Sequence, residues 1–408
     1  MNRSYLGNLR RTDRKSLGLI ILQFATNAST FMSFPLLSIL LKQQGHDGVF
    51  IGAVLTTVLV CAKGLPLLIG HIIDRLGGRI FITGGLMMRA AGFSVFFISD
   101  SPSASLLAAL LIGIGAAAYE TAVYALLARQ GENERRFLFL LNNQALNSGV
   151  ILGPAIGTVL SWGRIDLAFA ASAVFFTLSA LAAPFFCHRT TETRPDASGG
   201  AIRPLAEAFR DRRFALLCAI LVPWWLIFAQ LYTSFPLFLL SLLGHGRDTQ
   251  VIFIVNGVTG MLMAFVLAPL FSRFGEVALI RLGYLLLAIL FMAAPTIGAA
   301  LVFFALIALY TVAETIILAS SDAEIAHVAP KGREATYFGA SHISWIIGGG
   351  LGNFLGAELS SRGAFTSLWW LLAAMAVIGA TGMTIYRSRF RGAQQEKTRT
   401  KEEATALR

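Results

Sequence analysis

The chain has 408 residues, 56% of them hydrophobic and 13% charged, against ~25% charged in soluble proteins, and its mean hydropathy is +0.69. These values exclude an ordinary soluble domain and a disordered chain, and three cysteines without paired spacing (Cys61, Cys187, Cys218) exclude a disulfide scaffold. The net charge of +11 points, in so apolar a chain, to basic cytoplasmic loops rather than to nucleic acid. A membrane-crossing helix needs roughly 20 mostly apolar residues, and twelve such stretches follow one another. They lie at 16–41, 49–70, 80–98, 103–128, 137–161, 165–187, 214–243, 250–272, 278–297, 299–328, 336–361 and 364–386, numbered here as spans 1 to 12. The opening residues stay polar to Lys15 and then enter a stretch too long for the apolar part of a signal peptide, so no cleavable leader is expected.

The charges test this map. With the N-terminus in the cytoplasm and Arg281, at the very start of span 9, counted with the loop before it, 27 of the 33 basic residues fall in cytoplasmic segments. Four (Lys42, Arg164, Arg247, Arg362) fall outside, and Lys63 and Arg89 lie within spans. This asymmetry predicts cytoplasmic termini and an even number of spans.

The chain repeats itself. Ser33-Phe34-Pro35-Leu36 recurs as Ser234-Phe235-Pro236-Leu237, and Asp74-Arg75-Leu76-Gly77 matches Ser272-Arg273-Phe274-Gly275. Tyr119-Glu120-Thr121 matches Ala313-Glu314-Thr315, and Gly149, Gly153 and Gly157 match Gly348, Gly352 and Gly356. Four matches in the same order predict an all-α integral membrane protein of twelve transmembrane helices in two pseudo-symmetric six-helix bundles. The bundles are 1–187 and 214–386, with a polar cytoplasmic linker at 188–213 and a basic cytoplasmic tail at 387–408. Such parallel repeats bind substrate near the bilayer midplane, between the halves.

Two motifs carry a family resemblance. Gly70-His71-Ile72-Ile73-Asp74-Arg75-Leu76-Gly77-Gly78-Arg79 resembles the G-x-x-x-D-R-x-G-x-R/K loop after span 2 of the major facilitator superfamily. Gly149-Val150-Ile151-Leu152-Gly153-Pro154-Ala155-Ile156-Gly157 resembles G-x-x-x-G-P-x-x-G of span 5, which the family associates with exporting antiporters. The runs from Phe34 to Ile39 and from Met88 to Phe93 are most similar to the MdtH-type branch of the twelve-span drug/proton antiporters. The likeness extends over essentially the whole chain. One departure stands out: where the family places an Arg in span 4, four residues before a Gly, this chain has Ala109 before Gly113.

Candidate site residues follow. Asp74, with Arg75, Arg79, Gly70 and Gly77, is a candidate gate latch, since a carboxylate there can pair with Arg and with the positive end of a facing helix. Gly149, Gly153 and Gly157 allow close helix approach, and Pro154 permits a bend, so together they form a candidate antiporter seam. Glu120 and Glu314 sit at repeat-related positions well inside spans 4 and 10. An ionisable group at membrane depth is costly to charge and marks proton or substrate work. Lys63 and Arg89 reach a similar depth in the first half. They either neutralise Glu120, making it structural, or leave a net positive charge suited to an anionic substrate. Gln23, Asn27, Asn143, Gln230 and Tyr232 are candidates for the cavity wall, and Trp224, Trp225, Phe228 and Tyr310 for an aromatic part of it.

The expected function is a secondary active, proton-coupled exporter of small organic molecules such as drug-like compounds, working by alternating access. The alternatives are an exporter of an anionic metabolite such as a carboxylate siderophore, or an uptake symporter. No H-E-x-x-H, C-x-x-C, G-x-S-x-G or P-loop is present, so no enzyme activity, metal or cofactor is expected. The expected partners are a small-molecule substrate, protons and the lipid bilayer, with no nucleic acid. The expected setting is a monomer in a bacterial inner membrane.

Overall fold

The computed structural model describes residues 13–128, 132–160, 164–187, 202–246, 248–330 and 333–406. Twelve helical rods cross it. They are Arg14–Gln43, Gly48–Gly64 continued by Pro66–Leu76, Gly78–Ile98, Pro102–Ala128, Glu132–Leu160 and Asp166–Phe186 in the first half. In the second half they are Arg212–Leu243, Thr249–Val266 continued by Ala268–Arg273, Glu276–Thr296, Ala300–Val328, Glu334–Ser361 and Phe365–Ala406. Each corresponds to one of the twelve apolar stretches. Asp13, Asp47 and Asp211 cap spans 1, 2 and 7, their carboxylates accepting from backbone N–H groups of the first turn.

Two features of the sequence acquire a local cause. The repeated Ser-Phe-Pro-Leu marks a break in the first rod of each half. In span 1 a 3-10 turn over Phe34–Leu36 interrupts the helix, and in span 7 a turn at 230–233 precedes Ser234–Leu243. Proline is tolerated where a helix restarts, because the first N–H groups there lack intrahelical partners. Within the linker, Ile202–Arg210 is itself a helix, and residues 188–201 lie outside the described residues. Span 12 runs on as helix through the basic tail to Ala406.

The two halves have separate hydrophobic cores. One gathers Leu19, Phe93, Tyr119, Phe169 and Phe176, the other Trp224, Phe235, Tyr284, Tyr310 and Trp369. The helix neighbours repeat as well. Spans 1–5, 3–4, 3–6 and 2–4 pair in the first half, and spans 7–11, 9–10, 9–12 and 8–10 in the second. Between the halves, span 2 packs on span 11 and span 5 on span 8. By length and composition, eight helical units among the described residues are long and apolar enough to cross a membrane. The other four rods, spans 2, 5, 8 and 11, are those that meet between the halves.

The halves touch at one end. Lys42 Nζ donates to the Ser361 carbonyl (3.3 Å), Thr56 Oγ1 to the Gly350 carbonyl (3.4 Å) and Gln250 Nε2 to the Met32 carbonyl (2.7 Å). Gly48 and Gly52 bring span 2 against the backbone of span 11, at Ala357 and Glu358 and at Asn353 and Phe354. Towards the end that carries the linker, no hydrogen bond or ion pair joins the halves among the described residues. The hydrogen bonds between the halves among the described residues thus gather towards the end that the charge count places outside.

Candidate functional site

A cavity of about 400 Å³ lies between the halves. Span 1 contributes Gln23, Thr26, Asn27, Thr30, Phe31 and Phe34, span 2 contributes Lys63, span 3 Arg89, and span 4 Tyr119, Glu120 and Tyr124. The second half contributes Phe228, Tyr232, Trp345 and Asn353. All three lining charges come from the first half, and the second half faces them with aromatic rings.

Lys63 Nζ stands 3.6 Å from Glu120 Oε2 and 4.7 Å from the centroid of the Trp345 ring, so one ammonium links both halves. Both members of the ion pair remain partly open to the cavity, at 25% and 38% exposure, so their hold on each other is modest and can be exchanged. Arg89 is buried. Its guanidinium donates to Thr30 Oγ1 (2.5 Å) and lies over the Phe176 ring at 4.4 Å. A polar relay runs along the floor. Tyr119 OH donates to Gln23 Oε1 (2.5 Å) and lies 2.9 Å from Thr26 Oγ1. Gln23 Nε2 donates to Asn142 Oδ1 (3.0 Å), and Asn142 Nδ2 to Tyr124 OH (3.4 Å). These side chains are held by each other, which fixes the wall in one shape.

Glu314 is placed differently from its repeat mate. It is 9% exposed and does not line the cavity. Asn256 Nδ2 on span 8 donates to Glu314 Oε2 (2.6 Å) and to Thr311 Oγ1 (2.9 Å). Among the described residues no Lys or Arg pairs with it. The cause lies in the repeat itself. The offset of 198 that relates Asp74 to Ser272 carries Lys63 to Met261, so span 8 brings no cation.

Other expected positions divide. Gln23, Asn27 and Tyr232 line the cavity, and Asn27 Nδ2 also ties span 1 to the Leu146 carbonyl of span 5 (2.6 Å). Gln230 does not line it. Fully buried, Gln230 donates to the Leu226 and Gly352 carbonyls (2.8 and 3.0 Å) and so fastens span 7 to span 11. Asn143 is exposed and accepts from Asn147 Nδ2 (2.7 Å), outside the cavity. Of the aromatic candidates Phe228 alone reaches the wall. Trp224 and Tyr310 are buried in the second core, and Trp225 stacks behind Trp345 with centroids 4.2 Å apart.

The seam glycines pack on span 1. A Cβ would meet the Ala28 N at 2.8 Å from Gly149, the Ala28 carbonyl at 2.4 Å from Gly153 and the Met32 carbonyl at 2.4 Å from Gly157. Gly348, Gly352 and Gly356 approach span 7 in the same way. Pro154 stands inside span 5 and removes the helical donor to the Val150 carbonyl, beside the cavity. Of the latch residues, Gly77 has φ +88° and joins Pro66–Leu76 to span 3, a conformation that favours glycine. Arg79 is half-buried. The side chains of Asp74 and Arg75, and the surroundings of Gly70, lie outside the described residues.

Sequence reasoning missed Tyr119, Trp345 and Asn256. Tyr119 directly precedes the repeated Glu-Thr, and Asn256 is a lone amide in an apolar run, which is a readable signal. Nothing in the sequence marks Trp345 as facing Lys63. Around the cavity no three metal-ligating side chains converge among the described residues.

The model of one family, the Major Facilitator Superfamily, matches residues 19–341. The chain belongs to the major facilitator superfamily. The multidrug resistance protein MdtH of Yersinia enterocolitica is 24% identical over 364 residues, covering 86% of this chain and 89% of that protein. Among solved structures, the nucleoside transporter NupG superposes with a TM-score of 0.74 at 16% identity, over 91% of this chain and 100% of that one. The human organic anion transporter MFSD10 gives 0.66 at 18% identity, over 91% and 100%. This facilitator is thus a multi-pass membrane transporter with the twelve-helix fold.

Proposed function

We propose that this facilitator is a proton-coupled exporter of small organic molecules, working by alternating access. We place it in a bacterial inner membrane with both termini in the cytoplasm. The observation that carries the reading is the cavity between two separately cored halves, joined by contacts at one end and lined by a loosened Lys63–Glu120 pair. The basic loops support a cytoplasmic position for the end away from these contacts, so in this reading the cavity loads from inside. The likeness to multidrug resistance proteins supports export of drug-like compounds. The aromatic wall of Phe31, Phe34, Phe228, Tyr232 and Trp345 supports flat apolar ligands.

Glu314 is the proton carrier in this reading. An isolated carboxylate at membrane depth is costly, so in this reading Glu314 holds its proton while Asn256 is its one hydrogen-bond partner among the described residues. It releases the proton when the halves rock and water reaches it. The test uses inside-out vesicles with an acid interior, a panel of cationic dyes and anionic chelators, and a record of lumenal pH. Wild type is expected to show substrate-dependent proton efflux, and Glu314→Gln to fall to the level of empty vesicles. Efflux at wild-type rate in the variant would end the assignment of Glu314, and no efflux with any compound would end the antiport reading.

A second reading rests on the charge of the wall. Lys63, Arg89 and Glu120 together carry +1, which favours an aromatic anion, and MFSD10 is by name an organic anion transporter. Lys63→Gln would then remove a charged contact worth ~1.5–3 kcal/mol, lowering anion export roughly 10- to 100-fold while cation export persists. Equal effects on both classes would reject it.

A further inference from the structure

The linker end of the second half holds a cluster of side chains that does not line the cavity. Glu324 and His327 stand three residues apart on span 10 and share a face. Glu276 opens span 9 beside them. One carboxylate oxygen of Glu276, one of Glu324 and one imidazole nitrogen of His327 lie within 4.8 Å of one another. His327 Nδ1 is 3.4 Å from Glu276 Oε1.

The two oxygens of Glu324 are not alike. Oε1 accepts from Arg213 Nη2 and from Tyr386 OH, both at 2.7 Å. Oε2 is equally buried, on a residue with 0% exposure, and has no hydrogen-bond partner among the described residues. A buried carboxylate oxygen without a donor is costly, and a cation removes that cost.

We propose that Glu276, Glu324 and His327 form a binding site for a divalent first-row transition-metal ion, with Glu324 Oε2 as the innermost ligand. One imidazole and two carboxylates suit such an ion better than Ca²⁺ or Mg²⁺, which prefer all-oxygen sites, and better than Cu⁺, which prefers thiolates. Two carboxylates balance its charge. Arg213 and Tyr386 grip the other oxygen and so hold the Glu324 carboxylate in one orientation, as outer partners of metal ligands do. Ligand atoms about 2.1 Å from one ion lie at most about 4.2 Å apart, so the site closes by side-chain shifts of under about 1 Å. His327 and Glu276 are 58% and 28% exposed, which gives the ion a path in and leaves room for water ligands.

The test is metal binding by the full-length protein, purified without a histidine tag and stripped with chelator. We expect one Co²⁺ per chain, visible by its absorption band and displaced by Zn²⁺, and an unfolding midpoint raised by the metal. His327→Ala and Glu276→Gln change solvent-reaching side chains and should keep the metal-free midpoint of wild type. Because losing even an outer partner costs 10–100-fold, losing a ligand should weaken Co²⁺ binding about 100-fold or more and abolish the rise in midpoint. Equal binding by wild type and His327→Ala, or no binding by wild type at millimolar Co²⁺, overturns the proposal.

Discussion

Gly48→Leu is expected to part the two halves at the end held by Lys42 and Ser361 while each half stays folded. A Cβ on Gly48 would lie 2.5 Å from Glu358 Cα and 2.6 Å from the Ala357 carbonyl, both backbone atoms of the opposite half. Backbone cannot rotate aside, so the overlap costs ~1–3 kcal/mol. That cost falls on the closed state alone, because the halves no longer touch there once they rock. The population should shift toward the outward-open form by roughly 5- to 150-fold. Spin labels on Gln43→Cys and Arg362→Cys read the shift as a longer distance, and the unfolding midpoint should stay within a few degrees of wild type. An unchanged distance would mean that this contact is not the seal.

Gly153→Leu makes the contrast. Its Cβ would lie 2.4 Å from the Ala28 carbonyl, within one half. No rocking relieves that overlap, so the loss appears as stability of the fold, ~3 kcal/mol or more. It is read as a lower midpoint or failure to accumulate in the membrane. The same chemical change thus tests two kinds of interface.

The second large effect is expected at Glu324→Ala. The carboxylate is fully buried, and its partner Arg213 is 15% exposed. Removing the acid strands a guanidinium and the Tyr386 hydroxyl, which should destabilise the second half by ~3–5 kcal/mol. Because the cost comes from the unpaired charge, adding Arg213→Met to Glu324→Leu should recover most of it. Thermal unfolding in detergent measures both. A single Glu324→Ala variant within ~1 kcal/mol of wild type would show that the pair does not hold spans 7, 10 and 12 together.

Much of the architecture was legible because membrane burial acts on composition. A rod that crosses lipid must be apolar over its length, so twelve rods stood out, and basic residues sorted to one side. Close packing against Ala28 and Met32 of span 1, and against Val222 and Leu226 of span 7, leaves no room for a Cβ, and the glycines of spans 5 and 11 recorded this as spacing. The site was legible in part. Gln23, Asn27, Lys63, Arg89, Glu120 and Tyr232 line the cavity, whereas Gln230, Asn143 and Glu314 do not.

By itself the sequence determined how deep each residue sits, since position along a rod follows from 1.5 Å per residue. It also determined that the chain is two related halves. Which way a residue faces was decided only by the tertiary structure. Spans 4 and 10 have no one-sided polar face, so no polar stripe records their rotation. Glu120 and Glu314 occupy the same place in the repeat, yet one meets Lys63 in the cavity and the other meets Asn256 behind it. The difference arises on neighbouring helices, where one half carries a lysine and the other a methionine. Only packing brings those positions beside the carboxylates.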